Sequence, residues 1–221
     1  MKACIFDLDG TLTNTLESMT YSVNLTLEEM GLSKITKDQC RLFVGNGARV
    51  LMEKSLKAAG DTDASRIEEG MEIYGRIFDR NCTYHVTPYE GIPEMLKALK
   101  DKGIQLAVLS NKPDRQTVKV VKAIFGEELF DKVQGQTAEI PRKPSPLGPL
   151  AIAKEFNAKP SECLYMGDTK TDMDTGNAAG MFTIGVTWGF RPRKELEEHH
   201  AAKIVDKPEE ILDYAKAHKN V

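Results

Sequence analysis

Short apolar runs alternate with helical patterns along most of this sequence. Each run has the length of a buried strand, whereas the helical patterns repeat apolar residues at spacings of three or four. The runs lie around Ile5 and Phe6 and at residues 104–109, 132–135, 163–166, 181–186 and 204–205. Strands that alternate with helices in this order predict an α/β fold, in which helices cover both faces of a parallel sheet through right-handed crossovers.

A long helical segment interrupts this alternation after the first strand. Apolar residues recur with helical spacing over residues 16–30 and again over residues 67–78. We find no convincing strand from about residue 14 to about residue 84. The sequence therefore predicts an α/β core domain made of residues 1–13 and 85–221, with a helical domain of residues 14–84 inserted into it.

Carboxylates, a hydroxyl and a lysine accompany the carboxyl ends of the predicted strands. Asp7 and Asp9 end the first strand and would repel each other unless a cation or a proton lay between them. Parallel strands place their carboxyl ends at one edge of the sheet, so these polar residues should share one crevice. The residues expected there are Asp7, Asp9, Ser110, Lys143, Asp168 and Asp172. Clustered carboxylates suit Mg²⁺ and a lysine suits phosphate, so this combination predicts phosphoryl transfer.

Composition and charge narrow the class of partner. The chain of 221 residues has a formal net charge of −3 and a pI near 5.9, so it lacks the basic excess of a nucleic-acid-binding protein. Its four cysteines stand far apart, which argues against a zinc site and favours buried thiols in a reducing cytosol. Neither a signal peptide nor a membrane-length apolar segment is expected. These features predict a cytoplasmic protein that acts on a small molecule. The sequence does not fix its oligomeric state, and both a monomer and a homodimer stay open.

Four short motifs in chain order resemble those of the haloacid dehalogenase superfamily. They are Asp7-Leu8-Asp9-Gly10-Thr11, Ser110-Asn111, Lys143-Pro144 and Gly167-Asp168-x-x-x-Asp172. The resemblance implies a Rossmann-like parallel sheet, with residues 14–84 as an α-helical cap domain. It also implies a Mg²⁺-dependent phosphatase that works through an aspartyl-phosphate intermediate.

The same resemblance implies a role for each motif. Asp7 is expected to attack phosphorus. Asp9 is expected to protonate the leaving oxygen and then activate water, and Lys143 is expected to hold the transferring phosphoryl group. The expected Mg²⁺ ligands are Asp7, Asp9 through its backbone carbonyl, Asp168 and Asp172. The residues expected to bind phosphate or the rest of the substrate are Gly10, Thr11, Ser110, Asn111, Lys143, Gly45, Asn46 and Gly47. A dehalogenase or phosphonate hydrolase of this superfamily would lack an acid at position 9, so Asp9 favours phosphate esters.

A glycine-rich stretch in the insert gives the best indication of the substrate. Residues 41–48, here called the cap loop, resemble the Val-Gly-Asn-Gly loop of bacterial phosphoglycolate phosphatases. Such a loop can present backbone N–H groups and a nearby cation to a substrate carboxylate. Equally, Gly45 and Gly47 can serve only to end one helix and begin the next. The sequence therefore predicts a phosphatase whose best single substrate is 2-phosphoglycolate. The alternative functions are those of a pyrophosphatase, a broad sugar-phosphate phosphatase, a phosphomutase and a non-catalytic binding module.

Overall fold

A computed structural model describes residues 1–216, in which a six-stranded parallel sheet forms the centre of the molecule. Residues 217–221 of the predicted core domain lie outside the described residues. The strands are β1 Ala3–Phe6, β2 Thr13–Asn14, β3 Thr87–Pro88, β4 Gln105–Pro113, β5 Lys132–Gln136, β6 Cys163–Gly167, β7 Phe182–Val186 and β8 Lys203–Val205. The sheet has the order β5-β4-β1-β6-β7-β8, and every neighbouring pair in it is parallel.

Ten α-helices accompany these strands within residues 1–216. Those of the insert are α1 Leu16–Glu29, α2 Lys37–Phe43, α3 Ala48–Ala59 and α4 Ile67–Asn81. The others are α5 Ile92–Asp101, α6 Asp114–Phe125, α7 Leu147–Glu155, α8 Lys170–Ala178, α9 Arg193–Glu198 and α10 Ile211–Lys216. Two single-turn 3₁₀ helices, Pro160–Glu162 and Pro208–Glu210, complete the regular structure. None of these helices is both long and apolar enough to cross a membrane.

The central strand packs against helices on both of its faces. Successive side chains of a strand point to opposite faces, and the four residues of β1 are all buried. Cys4 and Phe6 belong to the larger apolar cluster, which includes residues of α5 and α6 and extends into the insert. Ala3 and Ile5 belong to a second cluster, which includes Ile152 from α7. This arrangement confirms the predicted α/β fold class.

The insert connects β2 to β3, and every regular element within residues 16–81 is a helix. The predicted apolar stripe of α1 is buried, from Leu16 at its start to Leu27 in its last turn. β2 and β3 pair in an antiparallel ribbon at the base of the insert, with Asn14 opposite Thr87. We predicted no strand from about residue 14 to about residue 84, and this prediction is wrong only at Asn14. The strand that includes Asn14 has two residues, which is too short to recognise in the sequence.

Local features set the ends of two elements. β4 continues beyond the predicted residue 109, because its chain pairs again with β5 at Pro113 and Gln136 after an irregularity. α7 stops at Glu155, two residues before Asn157. Asn157 has φ 49°, in the left-handed region that a right-handed helix cannot include.

Candidate active site

The predicted catalytic residues converge at the carboxyl edge of the sheet, although they come from distant parts of the chain. Asp7 follows β1, and Asp168 follows the neighbouring strand β6. Ser110 lies near the end of β4, which pairs with β1 on its other side. Lys143 comes from the segment between β5 and α7, and Asp172 from the first turn of α8. The parallel topology therefore produces the crevice that the sequence predicts.

Three carboxylates and one lysine form an ion-pair cluster at this edge. Lys143 Nζ donates to Asp7 Oδ1 and to Asp172 Oδ1, each at 2.7 Å. Carboxylate oxygens of Asp7, Asp168 and Asp172 lie within 4.8 Å of one another. With all three carboxylates ionised, the cluster carries a net charge of −2, which a single divalent cation would balance. Oxygen ligands of this kind suit a hard cation, so the cluster is compatible with a metal site.

Burial makes the negative charges of this cluster costly. It raises the pKa of Asp7 to about 7, with Lys143 opposing the shift and Asp172 and Asp9 adding to it. Burial, together with the Asp172 and Asp7 charges, raises the pKa of Asp168 well above its usual value. Burial alone would lower the pKa of Lys143, but Asp172 and Asp7 hold it well above its usual value. The lysine is therefore charged, and a cation would relieve the repulsion among the acids.

Asp168 is buried against two glycine backbones. Its Oδ1 accepts a hydrogen bond from the Thr11 hydroxyl at 3.2 Å, and its Oδ2 accepts one from the Phe190 N–H at 2.7 Å. A Cβ atom on Gly10 would lie 2.4 Å from Asp168 Oδ2, and one on Gly189 would lie 2.3 Å from Asp168 Cβ. Both glycines thus make room for a protein carboxylate. The predicted contacts of Gly10 and Thr11 with a phosphate stay predictions.

Gly189→Ala is expected to destabilise the protein by about 1–3 kcal/mol, because overpacking displaces the Asp168 side chain or the backbone. Urea denaturation measures this change in the free energy of unfolding. The matched control is Gly75→Ala in α4, where an added Cβ meets no atom within 4 Å. That control is expected to stabilise the protein by about 0.5–1 kcal/mol. Wild-type stability in Gly189→Ala would contradict the tight packing around Asp168.

Asp9 is held by two donors outside the carboxylate cluster. Its Oδ1 accepts hydrogen bonds from the Thr15 hydroxyl at 2.6 Å and from Lys112 Nζ at 2.5 Å. Lys112 is 6% exposed, and its ammonium lies 5.3 Å from the centre of the Phe78 ring. The sequence reasoning missed Lys112, and its position directly after Ser110-Asn111 was the available signal. The predicted metal contact of the Asp9 carbonyl stays a prediction.

Asn111 connects the Lys143 segment to the cap loop. Its Oδ1 accepts a hydrogen bond from the Lys143 N–H at 2.8 Å, while its Nδ2 donates to the Lys143 carbonyl at 3.1 Å. Nδ2 also donates to the Gly45 carbonyl at 3.2 Å. Ser110 Oγ accepts from the Lys112 N–H at 3.2 Å. These contacts position Lys143, and the predicted binding of substrate by Ser110 and Asn111 stays a prediction.

Two arginines from the α/β part of the chain hold carbonyl groups of the cap loop. Arg142 donates to the Asn46 carbonyl at 3.1 Å, and Arg191 donates to three carbonyls of the same loop. The carbonyls that Arg191 contacts, at 2.6, 3.3 and 2.8 Å, are those of Arg41, Leu42 and Val44. Asn46 Oδ1 accepts from the Thr171 hydroxyl at 3.2 Å. Both arginines thus bind carbonyl groups of the cap loop.

A cavity open to solvent lies between the carboxyl edge of the sheet and the insert. Its acidic and basic lining residues are Asp7, Asp9, Lys112 and Lys143, and all of them come from the α/β part of the chain. The insert contributes only uncharged residues, among them Met19, Leu51, Tyr74 and Phe78. Gly45 and Gly47 also line the cavity, whereas the Asn46 side chain bonds to Thr171.

Comparisons with known proteins agree with this geometry. The family model for haloacid dehalogenase-like hydrolases matches residues 4–186. The chain is 34% identical to the phosphoglycolate phosphatase of Aquifex aeolicus, over 86% of this chain and 86% of that protein. It is 31% identical to the phosphoglycolate phosphatase of Haemophilus influenzae, over 94% of this chain and 95% of that protein. A crystal structure of a predicted phosphoglycolate phosphatase from Haemophilus somnus matches with a TM-score of 0.91 and 26% identity, covering 98% of each chain.

Proposed function

The chain belongs to the haloacid dehalogenase-like hydrolase family and is a phosphatase, and on that basis we propose that it hydrolyses 2-phosphoglycolate with Mg²⁺ bound. The observation that carries the proposal is the Asp7, Lys143, Asp168 and Asp172 cluster beside Asp9, of which Asp7 and Lys143, together with Asp9, line the cavity below the insert. The relatives named phosphoglycolate phosphatase support 2-phosphoglycolate as the substrate. Residues 1–13 and 85–221 are proposed as the core domain, and residues 14–84 as the cap domain.

In the proposed reaction, Asp7 is the nucleophile. One of its carboxylate oxygens attacks phosphorus, the bond from phosphorus to the ester oxygen breaks, and Asp9 gives its proton to the departing alkoxide. A water molecule then attacks the aspartyl-phosphate. Asp9 takes a proton from this water, and the bond from phosphorus to Asp7 breaks to release phosphate. Lys143, fixed by Asp172, stabilises the negative charge on the transferring oxygens.

The donor set fits Mg²⁺. Asp7 and Asp168 would hold it with the Asp9 carbonyl, while Asp172 would support it through Lys143 or water. When bound, the cation neutralises charge on the phosphoryl group and on the carboxylates around it. Ser110, Asn111, Gly10 and Thr11 are proposed to border the phosphoryl group. We also propose a cytoplasmic location, in agreement with four free, buried cysteines.

Phosphate release from a panel of phosphate compounds tests the proposed function. The panel contains 2-phosphoglycolate, sugar phosphates, nucleotides and pyrophosphate, each with Mg²⁺ and with a chelator. The expected result is a dominant kcat/KM for 2-phosphoglycolate that the chelator abolishes. Preference for pyrophosphate or a sugar phosphate would keep the reaction and reject the substrate. Phosphoryl transfer from a bisphosphate without net release would indicate a mutase, and binding without turnover a non-catalytic module.

A further inference from the structure

We propose that Lys112 binds a second anionic group of the substrate, and that the enzyme thereby selects phosphate esters with a carboxylate close to the ester oxygen. This inference rests on the proposed function and assigns its substrate selectivity to one residue. Lys112 lies at the end of β4, where Pro113 resumes the pairing with β5. It is a cation of the core that points into the cavity below the insert.

Burial makes the position of Lys112 unusual for a lysine. Its side chain is 3% exposed, and within residues 1–216 its ammonium has a single hydrogen-bond acceptor, Asp9 Oδ1. An ammonium carries three N–H groups, so two remain for other acceptors. One side of the ammonium faces the Phe78 ring of the insert at 5.3 Å. The charge is therefore fixed at the boundary between core and insert.

The charges around the cavity leave Lys112 as the cation that can bind a second anion. Lys143, the other lysine in its lining, already pairs with Asp7 and Asp172 and serves the phosphoryl group. The lining residues from the insert carry no charge. Arg142 and Arg191 bind carbonyls of the cap loop and are not part of the lining within residues 1–216.

The contact with Asp9 places Lys112 beside the leaving group. Asp9 faces the ester oxygen in the proposed reaction, so its partner Lys112 lies on the leaving-group side of the phosphorus atom. In 2-phosphoglycolate, one carbon separates the ester oxygen from the carboxylate. A carboxylate at that distance falls near Asp9, where Lys112 can donate a charge-assisted hydrogen bond to it.

The test compares 2-phosphoglycolate with 2-hydroxyethyl phosphate, which replaces the carboxylate with a neutral hydroxymethyl group. The wild-type protein is expected to prefer the carboxylate ester, and Lys112→Met is expected to reduce the ratio of the two kcat/KM values by about tenfold or more. Lys119→Met is the control, because Lys119 is exposed and its ammonium binds the Asp79 carbonyl at 2.6 Å. It should leave the ratio unchanged.

The variant Lys112→Gln distinguishes the effect of the Lys112 charge from the effect of its hydrogen bond to Asp9. Its amide is neutral but can still donate to Asp9, so the ratio is again expected to fall, and this variant serves if Lys112→Met does not fold. An equal loss on both esters would overturn the inference and leave Lys112 as a positioning residue for Asp9. A wild-type protein that hydrolyses both esters equally would also overturn it.

Failure of the proposed function gives a different result from failure of the inference. A wild-type protein inactive on every ester would reject the proposed function. Equilibrium binding of the two esters to wild-type protein and to Lys112→Gln then tests the inference without turnover. Tighter binding of 2-phosphoglycolate that the variant loses would support the role of Lys112, and equal binding in both proteins would overturn it.

Discussion

The variant Asp7→Asn is expected to release phosphate at least about 10⁴-fold more slowly than the wild-type protein, the scale seen when a catalytic nucleophile is removed. The neutral amide is a poor nucleophile toward phosphorus. Its oxygen can still accept the hydrogen bond that Lys143 Nζ gives to Asp7 Oδ1 at 2.7 Å. The substitution also removes one of three clustered charges, so the fold should persist. Phosphate release and thermal unfolding, measured on the same preparation, check both expectations.

The matched control for this variant is Asp101→Asn, the same chemical change at an exposed position at the end of α5. It should leave turnover unchanged. A trapped phosphoryl group on wild-type protein, absent from Asp7→Asn, would identify the nucleophile directly. Appreciable turnover by Asp7→Asn would assign the attack on phosphorus to another group.

Lys143→Met is expected to destabilise the metal-free protein by about 3–5 kcal/mol, the usual consequence of removing one partner from a buried ion pair. Methionine fills a similar volume but leaves Asp7 and Asp172 without their shared cation. Urea denaturation with chelator present measures the loss. Lys154→Met, at an exposed position in α7, is the control and should change stability by less than about 0.5 kcal/mol. Activity should fall as well, because Lys143 is proposed to stabilise the transferring phosphoryl group.

The effect of Lys143→Met should depend on pH. The pKa of Asp7 is already raised to about 7 in the folded protein, above the unfolded value near 3.8. Metal-free stability therefore falls as the pH rises from about 4 to 7, because the folded state keeps a proton that the unfolded state has released. Loss of the lysine raises this pKa further and enlarges the fall. A pH-independent or small effect would contradict the charge balance described for the cluster.

The sequence predicted the residues of the cluster because their positions depend on topology alone. Asp7 and Asp168 follow strands whose carboxyl ends must share one edge, whichever way the rest of the chain runs. Lys143 was expected in the same crevice although it lies in a segment without regular structure, and the resemblance supplied its role. β4 was expected to stop before Ser110. Its further pairing with β5 could not be predicted, because it depends on an irregularity in the pairing of two strands that are distant in the sequence.

The contacts that sequence reasoning could not predict are those between the insert and the rest of the chain. The pairing of Lys112 with Asp9 requires the side-chain directions at two strand ends, which no spacing rule gives. The contact of Arg191 with the cap loop joins parts of the chain separated by most of its length. The packing of Gly189 against Asp168 depends on how closely the segments that follow β7 and β6 approach each other.

The carbonyl contacts of Arg142 and Arg191 also bear on how fast an anionic ester reaches the cavity. Any movement that lifts the cap loop away breaks these hydrogen bonds and leaves two guanidinium groups without their loop carbonyl partners. Their charges would then attract a phosphate dianion during its approach and return to the loop afterwards. Association of this kind is fast at low ionic strength and slows as salt screens the charges. The arginines that bind the cap loop would thus also raise the association rate of an anionic substrate.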